Sequence, residues 1–107
     1  MSLFDRMELK TVNEGINAVR TTPGAFLVDI RPKDAFKANH VQGAVNIPST
    51  RLDLAENRIK DKSALIYIVG DYYHKPRVGI KGLKKMGFTN VHSCGYMEEH
   101  NVRPMLF

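Results

Sequence analysis

The sequence is poor in cysteine. It has one, Cys94, in 107 residues, so no internal disulfide can form and a reducing setting is expected. Long apolar runs are missing as well, with none approaching the roughly 18 residues a membrane span needs. The start, MSLFDRMELK, lacks the basic-then-apolar layout of a secretory signal. Together these absences lead us to expect a cytoplasmic protein with no membrane partner. Linkers, internal repeats and low-complexity segments are also lacking, and residues 1–107 read as a single domain. What remains is ordinary globular material, 43% hydrophobic and 25% charged. That supports one modest core and is too apolar for disorder.

Charge is unevenly spread. The net charge is +5, with 16 basic and 11 acidic residues. Five of the basic residues, Lys75, Arg77, Lys81, Lys84 and Lys85, fall in one short stretch. Such a run reads first as a solvated helix face that aids solubility. Its second reading is a nucleic-acid surface along 75–85, a partner class we expect to be unlikely.

Apolar spacing divides the chain into alternating elements. Thr11-Val-Asn-Glu14 has the form of a capping box, with Val12, Ile16 and Val19 behind it, and predicts a helix over about 12–20. AFLVDI (25–30) is a short, almost wholly apolar run, the pattern of a strand covered on both faces. Pro32 suits the first position of a short helix over 32–38. AVNI (44–47) reads as a strand stopped by Pro48, and Ser49 or Thr50 can cap a helix to about 57. ALIYIV (64–69) is the clearest strand. Pro76 opens a helix with Val78, Ile80, Leu83 and Met86 on its apolar side, small Gly79 and Gly82 for close packing, and Gly87 as its C′ residue. TNVHS (89–93) is a weaker strand, and 96–102 a short last helix. Strands alternating with helices predict an α/β fold with a mainly parallel sheet. In such sheets ligands bind at the carboxyl ends of the strands. Loops 31–33, 70–75 and 94–96 are therefore expected along one edge.

The stretch FLVDIRPKDAFKANHVQGAVNIP (26–48) resembles the first half of a rhodanese-like (sulfurtransferase) domain. There a strand ends in Asp-x-Arg, followed by a short helix and His-x-x-Gly-Ala-x-Asn-Ile-Pro. The matching residues are Asp29, Arg31, His40, Gly43, Ala44, Asn46, Ile47 and Pro48. KDKSALIYIVG resembles the strand into that family's active loop, and GLKKMGFTNVHSCGYM the helix and strand after it. The resemblance spans about residues 8–103. It implies a three-layer fold, with a central sheet of about five strands and helices on both faces. It also implies a cysteine at the end of the central strand, opening a six-residue loop whose amides and helix dipole stabilise a thiolate and its persulfide. In this chain the cysteine position falls on Gly70, and Lys75 stands where the closing basic residue would be. The loop Gly70, Asp71, Tyr72, Tyr73, His74, Lys75 contains no Cys, Ser or Thr. Glycine cannot carry sulfur, so the resemblance extends to the fold and not to the activity.

Several chemistries are open to this region. In the first the domain is catalytically silent, a binding or regulatory module for a protein or a small anion. Lys75 and Arg77 would attract the anion, Asp71 would oppose it, and the two tyrosines would either project or pack back. In the second, Cys94, expected just after the last strand and within roughly 10 Å of the loop given ordinary strand spacing, would be the nucleophile of a thiosulfate-type sulfurtransferase. Its plainer role is a small core residue. A metal held by His92 and Cys94 with His74 or His100 matches no familiar zinc spacing, so no metal and no cofactor are expected. GDYYHKP is not a P-loop, and Asp71 with His74 has no nucleophile in the loop to activate. Asp29, Arg31 and His40 are expected to be structural. Asp29 and Arg31 would tie the strand end to nearby loops, and His40 would hold the Val41–Ala44 turn.

Overall fold

A computed structural model describes residues 11–102, with side chains to His100. Helix α1 (Val12–Thr21) begins at Thr11, whose hydroxyl oxygen accepts the Glu14 amide at 3.2 Å. The N-cap half of the capping box foreseen in the sequence is therefore made, and the Thr11 hydroxyl donates to Glu14 Oε1 at 3.1 Å. Strands β1 (Phe26–Asp29), β2 (Val45–Asn46), β3 (Ile66–Gly70) and β4 (Val91–Tyr96) form one sheet in the order β2-β1-β3-β4, parallel throughout. Between them lie α2 (Lys33–Ala38), a 3-10 segment (Ser49–Leu54) that runs into α3 (Ala55–Arg58), and α4 (Pro76–Lys85). Helix α5 (Met97–Val102) follows β4 directly.

The alternation of side chains along β1 and β3 separates two cores, giving the three layers. On one face Val28, Ile66 and Ile68 pack with Ile47, Ile59, Leu83 and Phe88 beneath α3 and α4. On the other, Leu27, Tyr67 and Val69 pack with Val12, Cys94 and Met97 beneath α1 and α5. All of β3 is buried, as expected for a central parallel strand. Gly79 lets α4 lie directly on the sheet: a Cβ there would meet Ile30 Cγ2 at 3.0 Å and Ile68 Cγ2 at 3.2 Å. Gly87 ends α4 in the left-handed region at φ 100°. Its amide reaches the Lys84 carbonyl (3.0 Å) and the Phe88 amide the Leu83 carbonyl (3.1 Å), the paired closure that favours glycine at C′.

Three expectations change. The described residues hold four strands, not about five; the fifth came from the resemblance, and only four strand-like runs are present in residues 11–102. No helix is capped by Ser49 or Thr50. Arg51 leaves helical geometry (φ −135°, ψ 45°), and the segment begins at Pro48 without a side-chain cap. The last strand does not stop at Ser93 but continues to Tyr96, because a bulge absorbs one extra residue: Ile68 pairs with Ser93 and Val69 with Gly95. Gly95, at φ 98°, permits this turn of the chain. As a result 94–96 is not a loop. The mouth at the strand ends is formed by 31–33, 70–75 and the β4–α5 corner.

Candidate functional site

The site lies where β3 ends at Gly70 and the chain turns toward α4. Gly70 is fully enclosed. A Cβ built on it would run into the His74 carbonyl oxygen and lie 3.1 Å from Pro76 Cδ, so there is no room for any side chain at this position in this loop conformation. The Asp71 amide donates to the His74 carbonyl (3.0 Å), and the His74 amide donates back to the Asp71 carbonyl (3.1 Å). The loop is a closed turn.

Its amides are also in use. The Asp71 carboxylate turns inward, and its Oδ1 accepts the Tyr73 amide (3.0 Å), the His74 amide (2.6 Å) and a hydrogen bond from His74 Nδ1 (2.8 Å). Glu98 Oε2, reaching across from α5, accepts the Tyr72 amide at 2.9 Å. Four successive amides, 71 to 74, are thus satisfied by the chain's own oxygens. The Asp71 carboxylate, expected at the mouth, is bound to the loop's own N–H groups.

The tyrosines do not fill the site. Tyr72 is half-exposed and rests on Tyr96, with ring centroids 5.2 Å apart. Burial against its neighbours, then the Glu99 and Glu98 charges, raise its phenol above the ordinary range. Tyr73 is 90% exposed. Lys75 is the N-cap of α4, with no side-chain cap bond, and Pro76 follows at its first position. Lys75 and Arg77 are exposed, and neither pairs with an acid among the described residues. Tyr96 and Glu98 were not singled out in the sequence. The only signal toward them was the adjacency of the last two parallel strands, which brings the start of α5 beside the loop.

Asp29 and Arg31 form a buried ion pair behind the mouth, 0% and 5% exposed. Arg31 Nε lies 3.0 Å from Asp29 Oδ1 and Nη2 2.9 Å from Oδ2, while the Arg31 amide donates to Oδ1 at 3.0 Å. Arg31 Nη2 also reaches the Asn39 carbonyl at 2.6 Å. Asn46 Nδ2 donates to the carbonyls of Asp29 and Arg31 at 2.9 and 3.0 Å. The group joins the end of β1 to the end of α2 and to β2, and it leaves no charge unpaired in the interior. His40 does something other than expected. It is exposed, stacks on Phe36 with centroids 3.9 Å apart, and sits 2.8 Å from the Phe36 carbonyl through Nδ1. The Val41–Ala44 turn closes through its own backbone bond.

Cys94 is the bulged residue of β4 and is 0% exposed. It lies under α1, where a Cβ on Gly15 would come within 2.6 Å of its Cβ and 3.0 Å of its Sγ. Burial, then the Asp29 charge, pushes its thiol up to about 12, so the thiolate form is strongly disfavoured. A small cavity of about 160 Å³ between α1, Tyr96 and His100 touches Cys94. His92 sits at the exposed edge against Tyr67 and Asn90. Among the described residues, no group of three or more His, Cys, Asp or Glu is placed to hold a metal ion. Also among them, no helix is long and apolar enough to cross a membrane.

Comparisons with known proteins agree with this architecture. A family model described as Rhodanese-like domain matches residues 8–96. The chain is 33% identical over 82 residues to the adenylyltransferase and sulfurtransferase UBA4 of Meyerozyma guilliermondii, covering 70% of this chain and 19% of that protein. It is 28% identical over 65 residues to the corresponding uba4 protein of Ogataea parapolymorpha, covering 61% and 17%. The chain thus spans about a fifth of these curated relatives. Among solved structures it is similar to a rhodanese with anions from E. coli (TM-score 0.65, 24% identity, 70% of this chain and 89% of that one). It is also similar to an uncharacterized protein from Saccharomyces cerevisiae (TM-score 0.71, 16% identity, 90% and 93%). Both structural likenesses concern the fold. With its parallel sheet, its loop at the end of β3 and a family match over most of its length, the chain belongs to the rhodanese-like domain family.

Proposed function

We propose that this rhodanese-like domain does not carry sulfur and acts as a binding or regulatory module. The observation that supports this most directly is the absence of space for a Cβ at Gly70. Sulfur transfer in the family requires a thiol at that position, surrounded by free amides. This chain has neither, because Asp71 and Glu98 hold the amides. Lys75 and Arg77 remain unpaired at the rim, but the loop amides that would face an anion already donate to carboxylates and carbonyls of the chain. A persulfide on Cys94 would require the core beneath α1 to open first.

The test is incubation with thiosulfate followed by intact-protein mass spectrometry, on the parent chain, Cys94→Ala and Gly70→Cys. No persulfide is expected on the parent. Gly70→Cys is expected to remain unloaded and to be less stable by about 1–3 kcal/mol, the usual cost of forcing volume into a filled site. A persulfide on the parent that disappears in Cys94→Ala would assign carrier function to Cys94 and end the proposal.

A further inference from the structure

The outward face of α4 is basic along its length. Arg77, Lys81 and Lys84 recur at i, i+4 and i+7, which places them on one face. The helix contains no acidic residue, and none of its basic groups pairs with an acid among the described residues. Val78 stands in the midst of this basic face, 49% exposed. Val78 and Ile80 lie beside Arg77, Lys81 and Lys84 along an open, shallow stretch of the helix surface. Tyr73, 90% exposed, projects from the loop that feeds the N-terminal end of the same helix. The charge reverses past that end, where Asp71, Glu98 and Glu99 gather around Tyr72.

We infer that the outward face of α4 docks a segment of a partner protein that is acidic and carries an apolar anchor for the exposed Val78. The inference rests on the reading of the domain as a binding module and specifies the class of partner. Charge complementarity identifies the occupant: three cations on one face without acids call for carboxylates, and a half-exposed valine beside them calls for an aliphatic or aromatic side chain. A nucleic acid satisfies only half of this pattern. It carries a charge about every 1.7 Å along a duplex, whereas α4 spans only about 15 Å. A continuous polyanion passing its N-terminal end would meet Glu98 and Glu99. A peptide can change its charge along its length.

The test uses the full chain and fluorescence anisotropy with four labelled probes: a glutamate-rich peptide with leucine and phenylalanine at i, i+4; polyglutamate of the same length; a random DNA duplex; and a single-stranded RNA. The apolar-anchored peptide is expected to bind most tightly at physiological salt. The triple variant Arg77→Glu, Lys81→Glu, Lys84→Glu should weaken it by about tenfold or more, and Val78→Ser by about threefold. Amide shifts on titration should map to 75–85. No binding at millimolar peptide, equal binding of polyglutamate, indifference to Val78→Ser, shifts elsewhere, or tighter binding of either nucleic acid would each overturn the inference. None of those results would place sulfur on the chain. A persulfide in the thiosulfate experiment would instead overturn the silent-domain reading and leave the α4 surface untouched.

Discussion

Replacing Asp29 by alanine isolates what the buried pair contributes. In the parent the Arg31 guanidinium is almost fully enclosed, and its Nε and Nη2 both point at the Asp29 carboxylate. Asp29→Ala removes the counter-charge and leaves a buried cation with only the Asn39 carbonyl. Breaking a buried pair from one side costs about 3–5 kcal/mol, because the remaining charge stays desolvated. A domain of this size has only about 5–15 kcal/mol of stability in total, and each kcal/mol corresponds to roughly 4 °C or more. The melt followed by circular dichroism should therefore fall by roughly 12–20 °C, and the urea midpoint should fall with little change in slope. The double variant Asp29→Ala, Arg31→Met removes the stranded charge and should recover part of the loss. A melt for Asp29→Ala within about 2 °C of the parent would refute the reasoning, since that would mean less than about 0.5 kcal/mol in the pair. So would a double variant as damaged as two independent losses added together.

Two further outcomes are expected. Because the folded-state thiol of Cys94 is raised from 9.0 to about 12, the unfolded chain loses this proton first as pH rises. The stability it contributes is complete below about pH 9 and declines between about 9 and 12, by roughly 2–3 kcal/mol at pH 11. Urea midpoints of the parent should fall more steeply over that window than those of Cys94→Ala, and identical slopes would count against a buried thiol. In the loop, Glu98→Ala should speed hydrogen exchange at the Tyr72 amide, and Asp71→Ala at Tyr73 and His74. The factor should be roughly tenfold to a hundredfold, as the loss of a bond to a charged acceptor implies; unchanged rates would mean the carboxylates do not hold the turn.

The sequence and the structure agree most closely where the physics is local. The Thr11 cap, Gly87 at C′, Gly79 against the sheet and the buried run at β3 each depend on neighbours in the chain or on simple periodicity. All of them are legible in the sequence. The Asp-x-Arg and Asn-Ile-Pro segments were legible too, although their bonds were not. Asn46 reaching back to the Asp29 and Arg31 carbonyls spans 17 and 15 positions, and His40 looked equally suited to a turn it does not hold. The segment after Pro48 misled because Ser49 and Thr50 are good caps in isolation, while the chain kinks at Arg51.

At the site the division is sharper. That Gly70 can carry no sulfur follows from its residue type alone. That no other side chain fits there follows only from the His74 carbonyl, because the shape of a six-residue loop is set by bonds closing across it. The role of Asp71 was a matter of side-chain direction, and that of Glu98 depended on β4 lying beside β3. Cys94 takes the plainer of its two expected roles, a core residue, because one bulge, opposite Ile68 and Val69, lengthened the last strand and set the thiol under α1. Composition and spacing determine which groups a chain possesses. Which of them meet, and which are sealed away from water, was decided by strand order and register, since these bring together residues the sequence holds far apart.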